Sequence, residues 1–356
     1  MFDEGGCMRW RWILVVIVIS SVFSRAAPIQ MKEGDSVVVA GRAARVVRYD
    51  VLPYIETSFS RVCVYDRYDN PKLAELRTKY NLEKVVSEGD TELEKQSLLM
   101  AWAHRAFEFG DPTAPVGDAP ANYAGLRNAL QILELAKKEH KFFCVQYASL
   151  LVSASASLGW ICRPLGHSTH TWTEMWSNQY GRWVHFDPTG NYYWVKGDVP
   201  IDTYTAQRCL LSGAKDLAVI VGGKKTDREI RKYAAYSYIP NTNWLDAGPA
   251  YGKAYRLTVP QTASLPEGED PGKEVLFPLN QAALSCEEHP EGLEVRIRTM
   301  TPNFKTFLVR VDGKEWQEQG ERCVWKLHGG KNTLEAKSVN LFGVEGYPST
   351  VVLEVK

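Results

Sequence analysis

Three residues that together can make a nucleophile occur in the order Cys144, His170, Asp187. A thiol attacks well only as a thiolate. A helix start lowers the thiol pKa through its unsatisfied N–H groups and dipole, and a neighbouring imidazolium lowers it further. Cys144 stands at such a start. The loop His140-Lys141-Phe142-Phe143 leads into a small and apolar run, with Val145, Ala148, Leu151, Val152 and Ser155, which Gly159 ends. Taken alone, Cys144 reads more simply as a buried structural thiol. The residues downstream change that reading. His170-Thr171-Trp172-Thr173-Glu174-Met175-Trp176 follows a period of two, which puts residues 170, 172, 174 and 176 on one strand face. Histidine and glutamate on such a face both need partners. His167, three residues earlier, is expected on the opposite face, which selects His170 as the base. Asp187 closes the next strand, just before Pro188, which cannot extend a ladder. A carboxylate there can accept the imidazole's second N–H and fix its tautomer.

The elements that must position these residues read as an α+β layout. Residues 36 to 65 suggest short strands. Residues 71 to 80 suggest a helix with proline in its first turn. Thr91 and Glu94 form a capping box opening a helix over 91 to 109, with Leu98, Leu99, Trp102, Ala106 and Phe109 on its stripe. Another helix is expected over 126 to 138, and the Cys144 helix over 144 to 158. Three strands follow, over 160 to 165, 169 to 176 and 182 to 186. The Pro, Gly and acidic residues of 261 to 272 read as a linker. Beyond it lie only short strands, with Asp312-Gly313 as a hairpin signal, which suggests a small β-sandwich.

The N-terminus reads as a secretion signal over residues 1 to 26. Arg9 and Arg11 precede an apolar run from Trp12 to Ile19, and Ser24-Arg25-Ala26 offers small residues for cleavage. The run is shorter than the about 20 apolar residues a membrane span needs. Six cysteines remain after it: Cys63, Cys144, Cys162, Cys209, Cys286 and Cys323. Their wide spacing is neither a dense disulfide scaffold nor a zinc-finger pattern. With Cys144 kept reduced, at most two disulfides can form. Basic and acidic residues balance at 42 each, so no basic footprint for nucleic acid or an anionic membrane exists.

Other constellations were weighed. His167, His170, His185 and Asp187 could form a metal cluster, although a base already occupies one position. Tyr192-Tyr193-Trp194 could line a cleft rim or pack in the core. Trp102 could offer its indole N–H to an oxyanion, beside the backbone N–H of Cys144, or pack in the core. Gly222-Gly223-Lys224-Lys225 lacks phosphate-loop spacing and reads as a solvated turn.

The stretch from Cys144 to Asn191 resembles the transglutaminase-like branch of the papain-type thiol enzymes. The residues that carry the likeness are Cys144, Leu158-Gly159, Arg163, His170-x-Trp172-x-Glu174 and Trp183-x-x-x-Asp187-Pro188. Within that branch, Trp172-Thr173-Glu174, Arg182-Trp183 and His185 are most similar to peptide:N-glycanases. The paired C-x-x-C zinc ligands usual in those enzymes are absent from this sequence. The resemblance implies a Cys144–His170–Asp187 triad on a papain- or transglutaminase-like core. Neither the cysteine spacing nor the triad asks for a metal, and no cofactor is expected.

The expected organisation is a signal at 1–26, a β-rich and helical lead-in at 27–90, a catalytic core at 91–260, a linker at 261–272 and an immunoglobulin- or fibronectin-like sandwich at 273–356. The expected protein is a secreted or otherwise extracytoplasmic thiol enzyme, either an amidase or protease or an acyltransferase. Its partner is a protein, peptide or glycopeptide substrate. An N-glycanase-like amidase and a non-catalytic secreted binding module on the same fold are the alternatives.

Overall fold

The computed structural model describes residues 28–111, 125–226, 235–246, 257–262 and 270–356. The expected secretion signal lies outside the described residues, as do most of the expected linker and most of the loop at 111–120. Among the described residues no helix is long and apolar enough to cross a membrane.

The chain begins with the hairpin β1 (Ser36–Val39) and β2 (Arg42–Asp50). Five helices follow: α1 (Pro71–Lys79), α2 (Leu82–Val86), α3 (Glu92–Arg105), α4 (Ala129–Ala136) and α5 (Cys144–Ser157). Next come β3 (Cys162–Gly166), β4 (Thr171–Ser177), β5 (Arg182–Asp187), β6 (Tyr192–Lys196) and β7 (Val199–Pro200). Then α6 (Thr203–Ser212) is followed by β8 (Leu217–Val221), β9 (Lys224–Thr226), β10 (Tyr236–Tyr238) and β11 (Leu257–Val259). The short α7 (Pro271–Val275) precedes β12 (Ala283–His289), β13 (Gly292–Arg298), β14 (Phe304–Val311), β15 (Gln317–Gln319), β16 (Arg322–Lys326), β17 (Gly330–Asn340) and β18 (Ser349–Val355).

Local chemistry sets the helix ends. Asn70 caps α1 by accepting from the Lys72 N–H, with Pro71 in the first turn. The capping box of Thr91 and Glu94 forms as expected. That helix stops at Arg105, short of residue 109. The backbone at 108–110 instead exchanges hydrogen bonds with Phe142, tying α3 to the approach of α5.

The site sits on an antiparallel sheet ordered β11-β10-β3-β4-β5-β6-β8-β9, with β7 on β6. Both faces are covered. Met175, Val184 and Phe186 share a core with Leu150, Leu151, Val152 and Ala154 of α5 and with residues of α1, α3 and α4. Trp172, Trp176 and Trp183 point the other way, into a core with Tyr204 of α6, Val275 of α7 and Phe277. Cover on both faces explains why every residue of β4 is buried, its polar ones included. The Gly222-Gly223 pair forms the β8–β9 hairpin turn, both residues at positive φ.

The C-terminal strands differ from expectation in their membership. A three-stranded sheet, β12-β13-β16, and a six-stranded sheet, β1-β2-β18-β17-β14-β15, share one apolar core. The hairpin β1–β2, assigned from sequence to a separate lead-in, pairs with β18 at the far end of the chain. Apolar residues of β2 such as Val46 need a buried neighbour, and Leu353 and Val355 supply it. The linker reading is also corrected at its described end. Residues 270–277 open α7 and pack against the core: Tyr204 donates to Asp270, and Trp183 donates to the Phe277 carbonyl.

The two regions meet at Gly159. Its φ is +77°, and a Cβ there would lie 2.5 Å from that of Phe342, in the turn between β17 and β18. Asn340 also donates to the Gly159 carbonyl. Gly159→Ala is therefore expected to lower stability by about 1–3 kcal/mol, the range for a strained backbone residue. A thermal melt of the variant indistinguishable from that of the native chain would contradict this contact.

Candidate active site

Cys144 is the first residue of α5, and its thiol is partly exposed. The preceding residue, Phe143, has no side-chain acceptor, so it cannot cap the helix as Ser, Thr, Asp or Asn would. Gln146 reaches back instead: its Oε1 accepts from the Phe143 N–H, and its Nε2 donates to the Leu126 carbonyl. This arrangement fixes the entry to the helix while leaving its first N–H groups to act on the thiol.

His170 lies immediately before β4, and Asp187 is the last residue of β5. The ladder pairs Thr173 with Phe186 and Asp187 with Tyr192, which brings the two strand ends together. The His170 Nε2 is 2.7 Å from the Asp187 Oδ2. The other Asp187 oxygen accepts from the N–H groups of Thr189 and Gly190. His170 also acts on the Cys144 thiol, and with Nε2 engaged by Asp187, Nδ1 is the ring nitrogen left for it. The imidazole lies flat on Trp172, with centroids 5.7 Å apart.

The charges are mutually supporting. Burial works against a Cys144 thiolate, but the hydrogen bond and charge of His170 and the Thr171 N–H outweigh it, and the thiol pKa is lowered. Burial likewise works against a charged His170, but its bonds to Asp187 and Cys144 raise its pKa to about 10. For Asp187, burial is outweighed by His170 and by the Gly190 N–H, and the carboxyl stays below its usual range. Four other cysteines behave differently. Burial pushes the Cys63 and Cys323 thiols up, and those of Cys162 and Cys286 to about 12. All six cysteines in the described residues are free.

His167 does not lie on the opposite side, as strict alternation implies. The chain turns between the two histidines, and the His167 N–H donates to the His170 carbonyl. Both rings therefore lie against Trp172, their centroids 6.3 Å apart. What separates the histidines is bonding: His170 holds Asp187, whereas the His167 Nδ1 accepts from the Thr169 N–H. Burial and the charge of His170 lower the His167 pKa.

His185 is buried, its ring stacked on Tyr192, and burial drives its pKa down to about 3. Among the described residues no group of three or more His, Cys, Asp or Glu side chains is arranged to hold a metal ion. Trp102 packs beside Tyr80 on the helical core, which is the packing role and not the oxyanion one. Trp194 is core, while Tyr192 and Tyr193 are half-buried beside His185 and Phe186.

Beneath the histidine lies a buried ion pair. Arg163 Nε and Nη2 donate to Glu174 Oε2 at 3.0 and 2.6 Å, with the guanidinium stacked on Trp183. Glu174 Oε1 accepts from the Thr203 N–H at the start of α6 and from Tyr238 of β10. The Thr203 hydroxyl in turn accepts from the Trp172 indole that supports His170. From the sequence, Arg163 and Glu174 stand out as charges within apolar strands, but Thr203 and Tyr238 give no such signal.

Residues 80–188 match the family model of the transglutaminase-like superfamily. The match covers under a third of the chain and ends at Pro188, so it contains Cys144, His170 and Asp187. This stretch is similar to that superfamily, whose members are generally cysteine-dependent enzymes. No curated protein matches the chain.

The His170–Asp187 pair has a signed effect on stability. His170 rises from an ordinary 6.5 to about 10, so its contribution is full below 6.5 and disappears as pH climbs through about 10. Asp187 is lowered from 3.8, so its contribution is present above 3.8 and lost as pH falls further. Melting temperature measured against pH should decline at both ends of that window, with a flatter profile in Asp187→Asn. Superimposable profiles for the two chains would contradict the pairing.

Proposed function

We propose that the chain is a secreted thiol enzyme that opens a carboxamide or peptide bond through a Cys144–His170–Asp187 triad. The observation that carries this reading is geometric: Cys144 opens α5 with a partly exposed thiol, and beside it His170 holds Asp187 at 2.7 Å. The Cys144 thiol pKa is lowered, burial raises those of Cys63, Cys162, Cys286 and Cys323, and His170 is raised to about 10. Those directions favour a thiolate–imidazolium pair, which attacks without prior proton transfer.

In the first step Cys144 Sγ bonds to the substrate carbonyl carbon. The oxyanion that develops lies near the uncapped start of α5, where the Cys144 N–H can donate to it. His170 gives its proton to the leaving nitrogen, the carbon–nitrogen bond breaks, and a thioester remains. His170, now neutral, takes a proton from the incoming water or amine as it attacks that thioester. Asp187 keeps Nε2 protonated throughout, which fixes the ring orientation. Water as acceptor makes the enzyme an amidase or protease, and an amine makes it an acyltransferase. The acyl donor is a protein, peptide or glycopeptide.

Purified chain should be assayed on a panel of glutamine-containing peptides and N-glycopeptides, with and without a primary amine. Cys144→Ala and His170→Ala are each expected to abolish turnover while the far-ultraviolet circular dichroism stays native. Asp187→Ala should lose less, because an orienting group alone leaves part of the catalytic unit working. Turnover by Cys144→Ala near the native rate overturns the mechanism. A native chain inert on the whole panel, whose Cys144 alkylates no faster than Cys63 and Cys323, favours a binding module.

Metal should not be required, because neither the triad nor its neighbours call for one. EDTA is expected to leave both rate and melting temperature unchanged. Loss of activity restored by zinc would contradict this.

A further inference from the structure

We infer that His104 is a positioning residue for the thiol site, acting through the carbonyl of Pro188. The inference rests on the triad reading and adds a member that reading does not contain.

His104 lies in the last turn of α3, and its Nδ1 is 3.1 Å from the Pro188 carbonyl oxygen. A carbonyl only accepts, so Nδ1 must carry the proton. The bond therefore exists in the cation and in one neutral tautomer, and it does not depend on charge. Pro188 follows Asp187 directly and lacks an N–H. The loop leaving β5 is held instead by the Thr189 and Gly190 N–H groups, which both donate to Asp187 Oδ1. Those donors fix one carboxylate oxygen while the other holds His170. His104 bonds the residue between Asp187 and these donors. The same ring lies 6.4 Å from Tyr147, one turn beyond Cys144 on α5. One side chain thus borders both the carboxylate loop and the nucleophile helix.

The rest of α3 makes this contact more than incidental. At the opposite end of the helix, Glu92 accepts from the Ser177 hydroxyl, the Asn178 amide and the Gln179 N–H, in the turn between β4 and β5. Gln96 donates to the Trp176 carbonyl. The helix is therefore bolted to the start of β5 through Glu92 and to its end through His104. The lengths agree: twelve residue steps from Glu92 to His104 span about 18 Å of helix, and the six residue steps from Arg182, at the start of β5, to Pro188 span about 20 Å of strand. With both ends fixed, the Asp187 loop has a set height relative to Cys144. If the His104 bond is lost, the local bonds to Asp187 Oδ1 remain to hold that loop.

Burial works against a charge on His170, and the groups that favour it are Asp187 and Cys144. His104 is not among them, so any effect it has on the thiol must pass through the loop geometry. A displaced Asp187 holds the imidazolium less firmly, and a weaker imidazolium makes Cys144 less acidic.

The full chain is alkylated with iodoacetamide at about pH 5 to 9, the range in which reactive and ordinary thiols separate, and Cys144 labelling is read by peptide mass. His104→Asn keeps a donor in the Nδ1 position, whereas His104→Phe keeps a ring and removes the donor. The titration midpoint should be low in the native chain and in His104→Asn, and should move up by about half a unit or more in His104→Phe, toward an ordinary thiol at about 8.5. If the Phe variant does not fold, His104→Ala gives the same reading. A low native midpoint that both folded donor-lacking variants retain overturns the His104 proposal and leaves the triad standing. A native Cys144 that titrates as an ordinary thiol overturns the triad reading, and the His104 proposal with it.

Discussion

The buried ion pair of Arg163 and Glu174 is the constraint on which the site's surroundings depend. Neither residue has meaningful contact with water. Taking two charges out of water is expensive, and removing one partner of such a pair costs about 3–5 kcal/mol because the other is stranded. The protein meets this demand by completing the hydrogen bonds of both groups. Arg163 satisfies β4 through Glu174 and α7 through the Val275 carbonyl, and Glu174 also satisfies α6 and β10. Five elements, β3, β4, α6, α7 and β10, are thereby fixed around one charge pair. Part of the stability is spent on specifying a geometry that an apolar core would leave looser.

That geometry reaches the thiol site through Trp172. Its indole donates to Thr203, whose backbone is held by Glu174, and its ring supports His170 from below. On the other face of the sheet, α5 places Cys144 where the imidazole meets it. Cys144, His170 and Asp187 therefore sit at the rim where two separate cores, one of helices and one rich in tryptophan, meet along the ends of β4 and β5. Each core fixes part of the proposed triad. The rim leaves Cys144 and His170 partly exposed while Asp187 stays covered.

The C-terminal strands are joined to this core by shape as well as by chain. Gly159 admits Phe342, Asn340 bonds the Gly159 carbonyl, and the Asn303 side chain bonds Asp66 and Tyr68. The segment from Thr57 to Asn70 passes between the two regions, held by Glu274 at one end and by Asp246 at the other. Closing the large sheet with β1 and β2 brings the described N-terminal residues back to the end of the chain.

The sequence by itself determined the local features. Capping at Asn70 and Thr91, the helix start at Cys144, the stop at Gly159 and the strands around Trp172 and Trp183 are all written in short-range patterns. So is the order of cysteine, histidine and aspartate, because each of those side chains needs a particular strand end or helix start. Tertiary structure decided the rest. Strict alternation placed His167 on the wrong side, since a turn at 167–170 resets the parity. The pairing of β2 with β18 joins residues about three hundred positions apart, and no local pattern encodes a partner that remote. His104 reads from sequence as an ordinary residue near a helix end, and only folding brings it to Pro188. Buried polar groups must find partners wherever the fold supplies them, and those partners are set by three-dimensional closure and not by neighbours in the chain.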